Sequence, residues 1–111
     1  VSDRVARTYD YSEAIDDMRE AVSLVPDMPQ LWFDLGNLLC LSGEMVSAMD
    51  SYTEAIRLYP AMGDAFFNRA LILIYIKDKE KGCIDLSRAG ELGVADAYSV
   101  IDKYCKNDDQ Q

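Results

Sequence analysis

A pattern that repeats every 34 residues limits this chain more than any other feature. Its clearest copy runs from Pro29 to Pro60, with Trp32, Leu35, Gly36, Leu39, Ala48, Tyr52 and Ala55 at fixed places. Trp32, Leu35 and Leu39 fall three and four residues apart, as do Ala48, Tyr52 and Ala55, which places one stripe on each of two helices. Ser42-Gly43-Glu44 interrupts them, and Gly43 suits the left-handed conformation that ends a helix. One copy is therefore a helix, a tight turn and a second helix.

Moved 34 residues forward, Trp32 falls on Phe66, Gly36 on Ala70, Leu39 on Leu73, Tyr52 on Leu86 and Ala55 on Ala89. Moved back, Ala48 falls on Ala14, Tyr52 on Met18, Ala55 on Ala21 and Pro60 on Pro26. A period of this size predicts a stacked array of helical hairpins. The order of an aromatic, Leu-Gly, Ala, an aromatic, Ala and Pro resembles the tetratricopeptide repeat. The resemblance implies an all-α, right-handed solenoid of antiparallel hairpins with a C-terminal capping helix. It sets a single domain over residues 1–106: a partial repeat at 1–26, a full one at 29–60, a degenerate one at 63–93 and a capping helix at 95–106. Residues 107–111 are expected to be a disordered tail.

In this register Val1, Ser2 and Val5 fit the last turns of a first helix whose start is missing, so the chain is read as a fragment of a longer protein. The helix to Leu24 carries Asp10, Glu13, Asp16, Asp17 and Glu20 outward and Ala14, Ile15, Met18, Ala21 and Val22 inward. Those acids lack the alternating ligands and loop glycine of a calcium site, so they form a solvated face. Val25-Pro26-Asp27-Met28-Pro29 separates two helices, with Pro29 suited to a first turn. Asp64 is expected as an N-cap or first-turn acid of a helix reaching Ile76. Leu71 to Ile76 is apolar all round and calls for cover on every side. Lys77 to Lys81 is a polar turn, unlike the one at Gly43. In the last repeat Gly82 replaces Ala and Val94 replaces Pro. Ala97, Val100, Ile101 and Tyr104 form the stripe of the final helix.

The net charge is −9, of which −7 falls in residues 1–62. An acidic chain repels phosphate backbones and argues against nucleic acid. A basic peptide or protein surface is the better electrostatic match. No segment has the length and apolarity of a membrane helix, and no basic n-region with a cleavage site opens the chain. Cys40, Cys83 and Cys105 show no metal spacing and read as free thiols acting as small hydrophobes, which leans toward a reducing, cytoplasmic compartment.

There is no histidine, no phosphate loop and no nucleophile beside a base, so no enzyme and no cofactor or metal are expected. What remains is a surface. In the family that the chain resembles, the first helix of each hairpin lines a concave groove for peptides or partner helices. By register the groove would be lined by Gln30, Phe33, Asn37, Cys40 and Leu41, then by Asp64, Phe67, Asn68, Leu71, Ile74 and Tyr75. Phe33 and Phe67 would stand side by side, unless the C-terminal helix covers Phe67, Leu71 and Ile74. Some members of the family clamp acidic chaperone tails with Lys, Asn, Asn, Lys and Arg. Asn37 and Asn68 fill the asparagine places, but Phe33, Tyr98 and Asp102 fill the cationic ones, so that ligand is not expected. The two asparagines could hold a peptide backbone or bond each other. The expected function is a non-enzymatic scaffold for a protein or peptide. The alternative is a structural spacer or self-association module, possible as a homo-oligomer.

Overall fold

The computed structural model describes residues 10–106. They form α1 (Ser12–Leu24), α2 (Pro29–Leu41), α3 (Met45–Leu58), α4 (Gly63–Tyr75), α5 (Lys79–Glu91) and α6 (Asp96–Val100), followed by a π-helical turn, Ile101–Cys105. No strand occurs among the described residues. The expected leader at residues 1–8 and tail at 107–111 lie outside them.

Each helix packs chiefly on its neighbours in sequence: α1 on α2, α2 on α3, α3 on α4 and α4 on α5. The helix ends show why the chain turns back where it does. Pro29 opens α2, where its missing N–H costs no helical bond. At the other end, the Glu44 N–H donates to the Leu39 carbonyl at 2.8 Å, closing the helix with Gly43 at φ 87°. The end of α4 repeats this 34 residues later, with the Asp78 N–H on the Leu73 carbonyl at 2.8 Å. Lys77 there takes φ 72° in the place of Gly43. The second turn therefore differs from the first in composition and matches it in backbone. Asp64 lies in the first turn of α4, while Met62 holds the N-cap position without a side-chain bond.

Two apolar clusters result. Leu35, Leu39, Ala48, Tyr52, Ala55, Ala65 and Ile72 join α2, α3 and α4, with Ile15 and Val22 from α1. Ala70, Leu86, Ala89 and Ala97 join α4, α5 and α6. Repeat-related positions share burial: Tyr52 and Leu86 are both enclosed, as are Ala55 and Ala89. The inner stripe expected for α1 holds only in part. Ala14 is exposed, although its counterpart Ala48 is fully buried. The reason is that Ala48 lies under α2, whereas α1 packs among the described helices only through its Ile15 and Val22 side.

Three further expectations are corrected. The final helix does not stay α-helical to Lys106 but widens at Ile101. A turn that closes i to i+5 holds more residues than an α turn, so each residue past Ile101 lags in rotation and the inward place passes from Tyr104 to Cys105. So Cys105 packs inward with Val100 and Ile101, and Tyr104 is exposed. That geometry also overturns the reading of three free thiols: Cys83 of α5 and Cys105 form a disulfide, with Cα atoms 5.9 Å apart, and Cys40 alone is free. No short sequence spacing announces the pair because only the return of the cap onto α5 brings it together. The argument for a reducing compartment, which rested on unpaired thiols, goes with it. Finally, cover over Leu71–Ile76 is partial. Ile72 is buried, but Leu71, Tyr75 and Ile76 are exposed.

Candidate binding site

Between α2 and α4 lies a cavity of about 510 Å³, lined by Asn37, Cys40, Leu41, Met45, Tyr52, Asn68, Leu71, Ile72 and Tyr75. Its floor is polar and its walls are apolar. The Tyr52 hydroxyl, carried up from α3, donates to Asn37 Oδ1 at 2.6 Å, and Asn68 Nδ2 donates to the same oxygen at 3.0 Å. Two donors thus converge on the Asn37 amide oxygen. Cys40 Sγ lies 3.5 Å from Tyr52 Oη. Since the phenol proton is committed to Asn37, the thiol is the donor in that contact. Burial pushes the Tyr52 phenol well above its ordinary range, and the Cys40 contact adds to the shift. The phenol is a fixed neutral strut that holds the two asparagines in place.

Six of the eleven expected groove residues meet here: Asn37, Cys40, Leu41, Asn68, Leu71 and Tyr75. Gln30 does not; its amide donates to Asp34 at 3.0 Å, one turn along α2. Phe33 turns inward, with its ring 5.7 Å from that of Tyr52. Asp64 is exposed at the start of α4. Phe67 is half-buried in the second cluster with Val100 and Ile101 from the cap, so it does not stand beside Phe33. Ile74 joins the same cluster. Phe67 and Ile74 are thus taken up by the second cluster, while Leu71 is left open, at 41 % exposure. Of the alternatives for the asparagines, the bond between them is present. Cys40, expected in the groove, does line it; Met45, Tyr52 and Ile72 were not foreseen. Tyr52 had a usable signal: a tyrosine on a core stripe must find a partner for its hydroxyl, and Asn37 is the polar residue facing it.

Chemically the cavity offers amide groups and apolar surface. Among the described residues, no charged side chain lines it. Among the described residues, no three His, Cys, Asp or Glu side chains converge as metal ligands, and no helix is long and apolar enough to cross a membrane.

No family model matches the chain. It is 31 % identical over 78 residues to Protein FlbA of Caulobacter vibrioides. That match covers 70 % of this chain and 13 % of FlbA, so the chain spans a small part of that protein's length.

Proposed function

We propose that this chain is a non-enzymatic scaffold that binds a protein or peptide partner in the groove between α2 and α4. We read its hairpins as a right-handed, tetratricopeptide-like solenoid closed by α6 and the π turn. The observation that carries the proposal is the cavity itself. Apolar walls from Leu41, Leu71 and Tyr75 surround a floor of fixed asparagines between α2 and α4. Exposed aromatic and aliphatic side chains around a few placed polar groups are what a partner's anchor residue needs. Leu41 is 63 % and Tyr75 71 % exposed, so both stand ready for contact without repacking.

The test is capture of interacting proteins from a lysate by the wild type and by Leu71→Asp, followed by titration of any partner recovered. Loss of the same partner with Leu71→Asp, while circular dichroism is unchanged, supports the groove. Equal affinity for both proteins removes it. The same exposed patch favours the second reading, self-association. Light scattering over a wide concentration range separates the two, because a strict monomer leaves only a foreign partner.

A further inference from the structure

The charges around the groove say what kind of segment it takes. The apolar cavity is the middle of three adjoining hollows. Leu41 is shared with a hollow of about 490 Å³ between α1 and the α2–α3 turn, where, among the described residues, Asp10, Asp16 and Glu44 face one cation, Arg19. Tyr75 is shared with a hollow of about 830 Å³ at the α4–α5 turn, lined by Lys77 and Lys79 and, among the described residues, by no carboxylate. The sign of the lining therefore changes along the groove, from acidic through neutral to basic.

Resting on the groove reading above, we propose that the occupant is an extended segment of a partner protein that carries a cation, then an apolar side chain, then a carboxylate. The cation lies toward Asp16 and Glu44, the apolar side chain enters between Leu41, Leu71 and Tyr75, and the carboxylate lies toward Lys77. A segment of one sign meets a like charge at one end. A purely basic segment, which the net charge of −9 favours at long range, meets Lys77. A purely acidic one meets Asp16 and Glu44. Overall charge and local charge thus select different partners. The backbone has a place as well: Asn37 Nδ2 and Asn68 Oδ1 have no partner among the described residues, leaving one donor and one acceptor for a peptide group.

The experiment is fluorescence anisotropy with the 111-residue chain and short labelled peptides of equal length. They carry lysine–leucine–glutamate, lysine–leucine–lysine or glutamate–leucine–glutamate spaced along glycine-serine backbones. The mixed peptide is expected to bind about fivefold tighter than either other, as two solvent-exposed charge matches allow. Added salt is expected to shrink that margin. Lys77→Glu should pass the preference to the dibasic peptide, and Asp16→Lys with Glu44→Lys to the diacidic one. If the dibasic peptide binds wild type as tightly as the mixed one, and Lys77→Glu changes nothing, long-range charge governs and the proposal is overturned, while Leu71→Asp sensitivity keeps the groove reading. If no peptide shows binding sensitive to Leu71→Asp, both are overturned. Self-association abolished by Leu71→Asp, with no peptide affinity, makes the occupant a second copy and also overturns the proposal.

Discussion

Lys77 holds the left-handed backbone that Gly43 holds one repeat earlier, at φ 72° against 87°. The same bonds close both turns, so the conformation is set by the helix end and not by the residue. A side chain with a Cβ pays for that conformation, at roughly 1 kcal/mol. Lys77→Gly is therefore expected to raise stability by on the order of 1 kcal/mol, and Gly43→Ala to lower it by a similar amount. Urea denaturation of both variants checks this. A lower midpoint for Lys77→Gly would show that the lysine side chain adds more than its backbone costs.

The two hairpins achieve close approach from opposite sides. In the first, a Cβ on Gly36 would stand 2.6 Å from the Tyr52 ring, while Ala48, at the place of Gly82, is fully buried with its Cβ. In the second, Ala70 replaces Gly36 because Leu86 replaces the tyrosine. Ile74 replaces Cys40, and there Gly82 is required: its Cβ would lie 2.8 Å from Ile74 Cγ1. Gly36→Ala is expected to cost about 1–3 kcal/mol through overpacking. Gly82→Ala should cost a similar amount, and less when Ile74→Ala accompanies it. A double-mutant cycle measures the coupling; strictly additive losses would mean that the two side chains do not compete for the space.

These exchanges mark how far the sequence could be read. The period, the helix types and the turn at Gly43 were legible because each is local: a stripe, a proline or a glycine. Gly82 looked like decay of the repeat, since its meaning lies in the bulk of Ile74 across the hairpin. In the site, Asn37, Leu41, Asn68, Leu71 and Tyr75 followed from register alone. Phe33 and Phe67 did not, because register gives the face of a helix but not whether a ring folds into its own hairpin or under the cap. The Cys83–Cys105 pair was illegible for the same reason.

That pair closes a separation of 22 residues. In the chain-entropy account, such a loop contributes about 3 kcal/mol. Only Ala97 of the cap is fully buried, and Val100 and Ile101 are half-buried beside it, so the disulfide adds to a small apolar contact. Cys83→Ser with Cys105→Ser is expected to lower stability by up to that amount. Amide exchange should speed up across Ala97–Cys105 and stay unchanged in α2 and α3. Unaltered exchange in the cap would show that apolar contacts alone hold it.

Tyr52 predicts an alkaline limit. Burial keeps its phenol protonated in the fold above the ordinary value of about 10. Below that pH both folded and unfolded chains hold the proton, and the group adds no pH dependence. Above it the unfolded chain releases the proton first, so stability falls as pH rises, by at most about 1.4 kcal/mol per unit. Tyr52→Phe loses the bond to Asn37, about 1 kcal/mol at neutral pH. It should then lose less than wild type between about pH 9 and pH 11. Parallel losses in the two proteins would mean that Tyr52 titrates normally.

Arg69 and Asp85 form the one bidentate ion pair among the described residues, with Nε–Oδ2 at 2.7 Å and Nη2–Oδ1 at 3.0 Å. Arg69 Nη1 also donates to Thr53 at 3.0 Å, so one guanidinium ties α3, α4 and α5 together. The Asp85 carboxylate is 8 % exposed. Removing it strands the guanidinium in a site where water reaches it poorly, and Asp85→Ala is expected to cost about 3 kcal/mol. Much of that loss is the unpaired charge and not the bond, so Arg69→Met together with Asp85→Leu should recover most of it. Thermal unfolding of the single and double variants decides between these terms. If the double variant is as unstable as Asp85→Ala, the pair supplies net attraction, and the three helices depend on it for their register.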